Sequence, residues 1–355
     1  MKILITGGAG FIGHHIIEHI LKNTDWDIIT LDRLNISGTY LRIKDIEVFT
    51  LNFNRVKTIW HDLRSEINKF VSAEIGEVDY ILHLAASSHV DRSIEDPMAF
   101  VMDNVVGTTN MLNFARTLPN LKAFVYFSTD EVFGPAPEGT AYKEWDRYNS
   151  GNPYAAAKAG GEEMALAFAN TYKLPVIITH TMNVFGERQH SEKFIPMCIK
   201  KILAGEKILI HANKEKTKAG SRYWIHGRNV AAAILFLLEN WTKVTFDFSK
   251  VNILPAHLGP YQGYKDLHAT SDKFNIVGER EVDNLEMARF IAKVLDKPLI
   301  YEMVDFHSSR PGHDLRYALD GSKMAAMGWK LPASFEESLE KTIKWTIDHP
   351  QWLKG

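Results

Sequence analysis

Two short stretches could divide proton chemistry between them. "FVYFSTDEVFG", Phe124 to Gly134, sets Thr129, Asp130 and Glu131 at the end of an apolar run, and "NPYAAAKAGGEEMALAF" carries Tyr154 and Lys158 in a helical pattern. Side chains four apart on a helix share a face, so a lysine ammonium there favours the phenolate of its tyrosine, as a general base requires. Burying two adjacent carboxylates is costly, and like charges push one pKa upward. Such a pair can supply one acid and one base. The plainer alternatives are a turn with solvated carboxylates and an ordinary surface Tyr/Lys pair.

At the N-terminus, "ITGGAGFIG" spaces Gly7, Gly10 and Gly13 as G-x-x-G-x-x-G between a β-branched run and a helical pattern. Glycines let the backbone turn tightly and approach a pyrophosphate, whose charge suits a helix N-terminus. Asp32 ends the next apolar run, where a carboxylate hydrogen-bonds an adenosine 2′-hydroxyl and repels a 2′-phosphate. This predicts NAD rather than NADP, although Arg33 leaves room for the phosphate. Asp62 and Leu63 follow the third strand-like run, Asp62 either flanking adenine or capping a helix.

The elements that must position these groups are legible as apolar runs. "KILIT", "DIITLD", "VDYILHLAA" and "LKAFVYFST" alternate with helical patterns. Near-continuous apolar strands alternating with helices predict a doubly wound, Rossmann-type α/β fold around a parallel sheet. Residues 1–181 form the dinucleotide-binding domain, with 226–242 returning to it. A smaller C-terminal α/β subdomain takes 182–225 and 271–355, and 243–270 reads as an insertion without a clear period. "NLEMARFIAKVLD" and "SFEESLEKTIKWTIDH" are predicted helices, Ser334 and Glu337 forming a capping box.

The totals set outer limits. The chain has 355 residues, 45% hydrophobic and 24% charged, ample for a substantial core. A net charge of -2 and a pI near 6.7 give no footprint for nucleic acid or an anionic membrane. Cys198 is the single cysteine, so neither a disulfide framework nor a cysteine-based metal cluster can form within one chain. No apolar run approaches the ~20 residues of a spanning helix, and the expected setting is the cytoplasm.

"TGGAGFIG", "HLAASSHVDRSIEDP", "FSTDEVFG", "NPYAAAK", "EKFIP" and "SRPGHDLRYALD" together resemble the extended short-chain dehydrogenase/reductases. Within them the chain is most similar to the nucleoside-diphosphate-glucose 4,6-dehydratases. The resemblance implies bound NAD, contacted by Phe11, Ile12 and Ala85 as well as by Tyr154 and Lys158. It implies a redox-neutral loss of water giving a 4-keto-6-deoxyglucose nucleotide, with thymidine favoured and uridine open. Tyr154, helped by Thr129 and Lys158, serves as base at O4, Glu131 as base at C5 and Asp130 as acid at the C6 hydroxyl. Ser88 and His89 face the hexose, Asn183 and Lys193 the sugar or phosphates, and Arg222 with Arg310 the diphosphate. His313 and Asp314 order the loop around Arg310. No metal is implied, and a homodimer is expected through the segments Met102 to Ala115 and Tyr154 to Phe168.

The chain departs from the family pattern at Ser87, where glutamate is usual, and in "SRYWIHGRN" and "MNVFGER". These fall around the nucleotide and sugar pocket. Competing readings are a nucleotide-sugar epimerase or decarboxylase, which needs no acid for a C6 hydroxyl, and a non-catalytic dinucleotide-binding protein.

Overall fold

Alternate residues of the central strands feed opposite cores, which makes the sheet the middle layer of a sandwich. The computed structural model describes residues 1–35, 37–241, 271–305 and 316–354. Its main sheet contains β1 (Lys2–Thr6), β2 (Asp27–Asp32), β3 (Val56–Trp60), β4 (Tyr80–His83), β5 (Ala123–Thr129) and β6 (Val176–Thr181). With β10 (Ser271–Ile276) they form seven parallel strands in the order β10-β6-β5-β4-β1-β2-β3. Ile3 and Ile5 pack with Ile16, Ile17, Ile234 and Leu237 on one face, while Leu4 joins Met111, Leu112, Ala165 and Leu166 on the other. That alternation is the two-residue period of a strand buried on both sides.

The helices supply the outer layers. Helix Phe11–Asn23 lies with helix Gly227–Asn240 over the first face, and helices Gly107–Ala115 and Pro153–Tyr172 cover the second. Strand order reverses at β1 and β4, so the crevice beyond their carboxyl ends is where such a sheet binds ligands. The glycine turn after β1 and the Thr-Asp-Glu turn after β5 both open toward it.

A third core, around Phe185, Ile199, Ile210, Met287, Ile291 and Leu339, belongs to the smaller subdomain. There β7 (Asn183–Phe185) and β11 (Glu281–Asp283) flank β9 (Ser221–His226), and β8 (Ile208–Ala212) pairs with β12 (Tyr301–Asp305). Helix Phe335–Asp348 begins as the sequence indicates, the Glu337 N–H donating to Ser334 Oγ at 3.3 Å. Cys198 is buried in this core.

One boundary is corrected. Ser271–Ile276, read from sequence as part of the smaller subdomain, pairs along β6 as the edge strand of the main sheet. Its polar residues disguised it. Lys273 lies buried 2.7 Å from Glu162, and Asn275 Oδ1 meets His180 Nδ1 at 3.1 Å. Burial opposes ionisation of Glu162, but His180 and Lys273 together bring it down to about 2. The expected 243–270 insertion, with Arg310, His313 and Asp314, lies outside the described residues. Among the described residues no helix is long and apolar enough to cross a membrane.

Candidate active site

The glycine turn is built for close approach. Gly7 has φ 71°, and a Cβ there would stand 2.8 Å from the Ala85 nitrogen, so only glycine lets the β1 loop abut the end of β4. Gly10 donates to the Gly7 carbonyl at 2.9 Å and leads into helix Phe11–Asn23, whose N-terminus no side chain caps. Backbone N–H groups of Phe11, Ile12 and Gly13 thus form an uncovered positive helix end beside a side-chain-free loop. That cradle fits a dinucleotide pyrophosphate.

Asp32 is anchored into this cradle. Its two carboxylate oxygens accept from Leu34 N–H at 2.8 Å and Ala9 N–H at 3.2 Å, while burial raises its pKa against those two bonds. The Arg42 guanidinium, also buried, grips the Ala9 and Arg188 carbonyls at 3.3 and 3.0 Å and steadies the same loop. Arg33 is committed elsewhere: its fork makes two 2.7 Å bonds to Asp103, which also accepts from the Ser87 hydroxyl. The room that Arg33 left for a 2′-phosphate is therefore narrowed.

Asp62 does not cap a helix. No helix starts there; its carboxylate closes a turn on the Arg64 N–H at 3.0 Å and pairs with the Arg64 side chain, which keeps it below the usual carboxylate range. Leu63 is buried in the second core, its carbonyl held by Asn110 at 2.8 Å.

At the other end of the crevice, β5 passes into a single 3-10 turn, Asp130–Phe133. Thr129 Oγ1 donates to Asp130 Oδ1 at 3.0 Å and accepts from the Glu131 N–H at 3.4 Å. Asp130 is only 3% exposed, and its Oδ2 is buried without a hydrogen-bond partner among the described residues. Burial, then the charge of Glu131, pushes Asp130 up to about 7, with Arg222 pulling weakly the other way. Glu131 is more open and accepts from Asn152 Nδ2 at 3.0 Å. Identical chemistry in adjacent residues has been given unlike surroundings.

Asn152 also caps helix Pro153–Tyr172, accepting from Ala155 N–H at 2.8 Å, with Pro153 preset for the first turn. One turn in, Tyr154 and Lys158 are both buried. The expected lowering of the phenol by the lysine is corrected. Burial and then Glu131 raise Tyr154 well above its ordinary value, the Thr129 hydroxyl alone opposing them. Lys158 is itself brought down to about 7 by burial, its ammonium 4.3 Å over the Tyr126 ring.

The substrate-side residues are gathered unevenly. Ser88 is exposed after β4; His89 opens helix Val90–Glu95, its pKa lowered by burial and by the nearby charge of Lys193. Lys193 precedes helix Phe194–Ala204, and Asn183 begins β7. Arg222 lies 4.6 Å over the Tyr317 ring and near enough to Asp130 to act on its carboxyl, so it borders the acid as well as any diphosphate site. Sequence reasoning gave no role to Asn152, Arg42 or Asp103. For Asn152 a signal was present, an N-capping residue directly before proline.

Comparison with known proteins bears on the fold and the family. The profile described as "NAD dependent epimerase/dehydratase family" matches residues 3–248. The dTDP-glucose 4,6-dehydratase of Salmonella typhimurium is 32% identical over 380 residues, spanning 100% of this chain and 95% of that one. The Low-salt glycan biosynthesis protein Agl12 of Haloferax volcanii is 32% identical over 98% of this chain and 99% of its own. Among solved structures, the dTDP-glucose 4,6-dehydratase DesIV of Streptomyces venezuelae, with NAD bound, superposes with a TM-score of 0.82 at 29% identity, over 100% of this chain and 99% of that one.

Proposed function

We propose that this chain, which belongs to the NAD dependent epimerase/dehydratase family, is a nucleotide-sugar 4,6-dehydratase. NAD is its cofactor, and it acts on nucleotide sugars as an enzyme of that family. The observation that carries the finer reading is the inequality of Asp130 and Glu131: a buried carboxyl lifted to about 7 beside a more open carboxylate held by an amide. Elimination of water needs such an acid and such a base, whereas inversion at C4 needs neither.

The residues then divide the reaction. Tyr154 gives its phenol proton to the amine form of Lys158, which burial holds at about 7, and as phenolate takes the proton of the 4-hydroxyl; the hydrogen bond from Thr129 opposes the burial that keeps the phenol protonated. When bound, NAD supplies the redox chemistry, accepting hydride from C4 and returning it to C6. The ketone at C4 acidifies the C5–H, which Glu131 removes as a base. Asp130 gives its proton to the C6 hydroxyl, and water departs. Arg222, Asn183, Lys193, Ser88 and His89 border the crevice where the sugar and diphosphate would sit, Arg222 suiting phosphate oxygens through its planar fork.

A dTDP-glucose substrate is favoured by the likeness to dTDP-glucose 4,6-dehydratases over nearly the whole chain. The test is mass spectrometry of product after separate incubation with dTDP-glucose and UDP-glucose in the presence of NAD. Loss of one water from dTDP-glucose, faster than from UDP-glucose, is expected. Unchanged mass from both sugars with an inverted C4 centre would replace the dehydratase by an epimerase. We further assign a homodimer, supported by the exposed apolar side chains Ile94, Met98, Val101 and Met102 along one segment. A monomer mass by light scattering at micromolar concentration would overturn it.

A further inference from the structure

We propose that Asn152 is a positioning residue that makes Glu131, rather than Asp130, the base of the elimination; this rests on the dehydratase reading above. An amide has one accepting and one donating end, and the two are easily interchanged unless a partner fixes them. Here the partner is the helix itself. Asn152 Oδ1 accepts from Ala155 N–H at 2.8 Å, which turns Nδ2 outward onto Glu131 Oε2 at 3.0 Å. Asn152 is buried, and its backbone carbonyl takes the Ala156 N–H at 3.0 Å, so backbone and side chain each tie the residue to the first turn of the helix that carries Tyr154.

The consequence is directional. A hydrogen bond donated to a carboxylate favours its charged form and fixes its plane. Among the described residues Asp130 receives no such amide; it has the Thr129 hydroxyl on Oδ1 and a buried Oδ2 with no partner there. Among the described residues, the groups whose charges bear on this pair include Asp130 beside Glu131, Tyr154 on the capped helix and Arg222 on β9. Among the described residues, Asn152 hydrogen-bonds Glu131 while also being fixed by the helix end. It therefore couples the position of the base to that of the tyrosine two residues on.

Asparagine, aspartate and serine cap helices about equally well, so the two roles of Asn152 can be separated. Asn152→Ser keeps an acceptor for the helix and loses the reach to Glu131; Asn152→Asp keeps the cap and sets a second carboxylate against it. Each holoenzyme is assayed with saturating dTDP-glucose, following water loss, melting temperature and the near-ultraviolet absorbance of reduced dinucleotide. A lost charge-assisted bond corresponds to roughly tenfold slower water loss for Asn152→Ser, and roughly a hundredfold for Asn152→Asp. KM and melting temperature stay at wild-type values, and reduced dinucleotide accumulates because oxidation outruns elimination.

Water loss at the wild-type rate in either variant, or slowing matched in both by loss of melting temperature, would overturn the proposal. Glu131→Gln, assayed alongside, separates the two levels of argument. If that variant loses water normally, Glu131 is not the base and the role of Asn152 falls with it; the dehydratase reading itself falls only if the wild-type enzyme returns the sugar at unchanged mass. If it is slow while Asn152→Ser is normal, only the role of Asn152 falls.

Discussion

Asp32 and Asp130 stand at the carboxyl ends of two strands of one parallel sheet, both buried and both raised by that burial. Their surroundings differ in one respect. Each oxygen of Asp32 receives a backbone N–H, from Leu34 or Ala9, so the carboxylate is fixed in direction and its charge is compensated. Asp130 has a hydroxyl on one oxygen, no hydrogen-bond partner among the described residues on the other and a like charge next door, and it reaches about 7. On the proposed roles, the acid that would bind ribose is tied down, and the acid that would give up a proton is left incompletely satisfied. The nucleotide end and the catalytic end of the crevice differ in the same way: backbone geometry dominates the first, side-chain environment the second.

Substitutions can break this contrast. The largest effect is expected from Tyr154→Phe, which deletes a general base and lowers turnover by roughly a thousandfold while NAD stays bound. Steady-state rates and dinucleotide content after gel filtration read both quantities. Asp32→Ala acts at the other end, freeing two backbone N–H groups and removing the proposed ribose contact; NAD affinity is expected to fall by roughly ten- to a hundredfold with the chemical step unchanged once the cofactor saturates. A slowed chemical step at saturation would blur the division between the two ends.

The pH profile sharpens the same contrast. A raised carboxyl holds its proton below its shifted pKa and loses it above, so the acid is present up to about pH 7. Water loss then declines roughly tenfold per pH unit beyond that point. Asp130→Asn should abolish this limb, and Asp32→Asn should leave it in place. The smallest effect belongs to Asp62→Ala, because a largely exposed pair with Arg64 is worth below about 1 kcal/mol. NAD affinity should stay within about threefold, measured by titration calorimetry.

How far the sequence disclosed these features follows from what each depends on. The glycine turn, Asp32 and the alternating strands were legible because they rest on local backbone rules and period. The Ser334 cap was legible for the same reason. β10 was misplaced because Asp272, Lys273 and Asn275 look unlike a buried strand until Glu162 and His180 are seen to satisfy Lys273 and Asn275. Asn152 stood in view as a helix start, yet its bond to Glu131 spans 21 residues and depends on how β5 meets the helix. The altered Tyr154 pKa was illegible for a similar reason. Spacing shows which groups are neighbours, but burial decides which influence dominates.

The most direct test of the account is a single-turnover experiment on Asp130→Asn holoenzyme with saturating dTDP-glucose, following reduced dinucleotide by absorbance and product by mass. The account predicts that reduced dinucleotide forms at close to the wild-type rate while water loss slows by roughly a hundredfold or more. Water loss as fast as wild type would contradict it, because the acid of the elimination would then lie elsewhere.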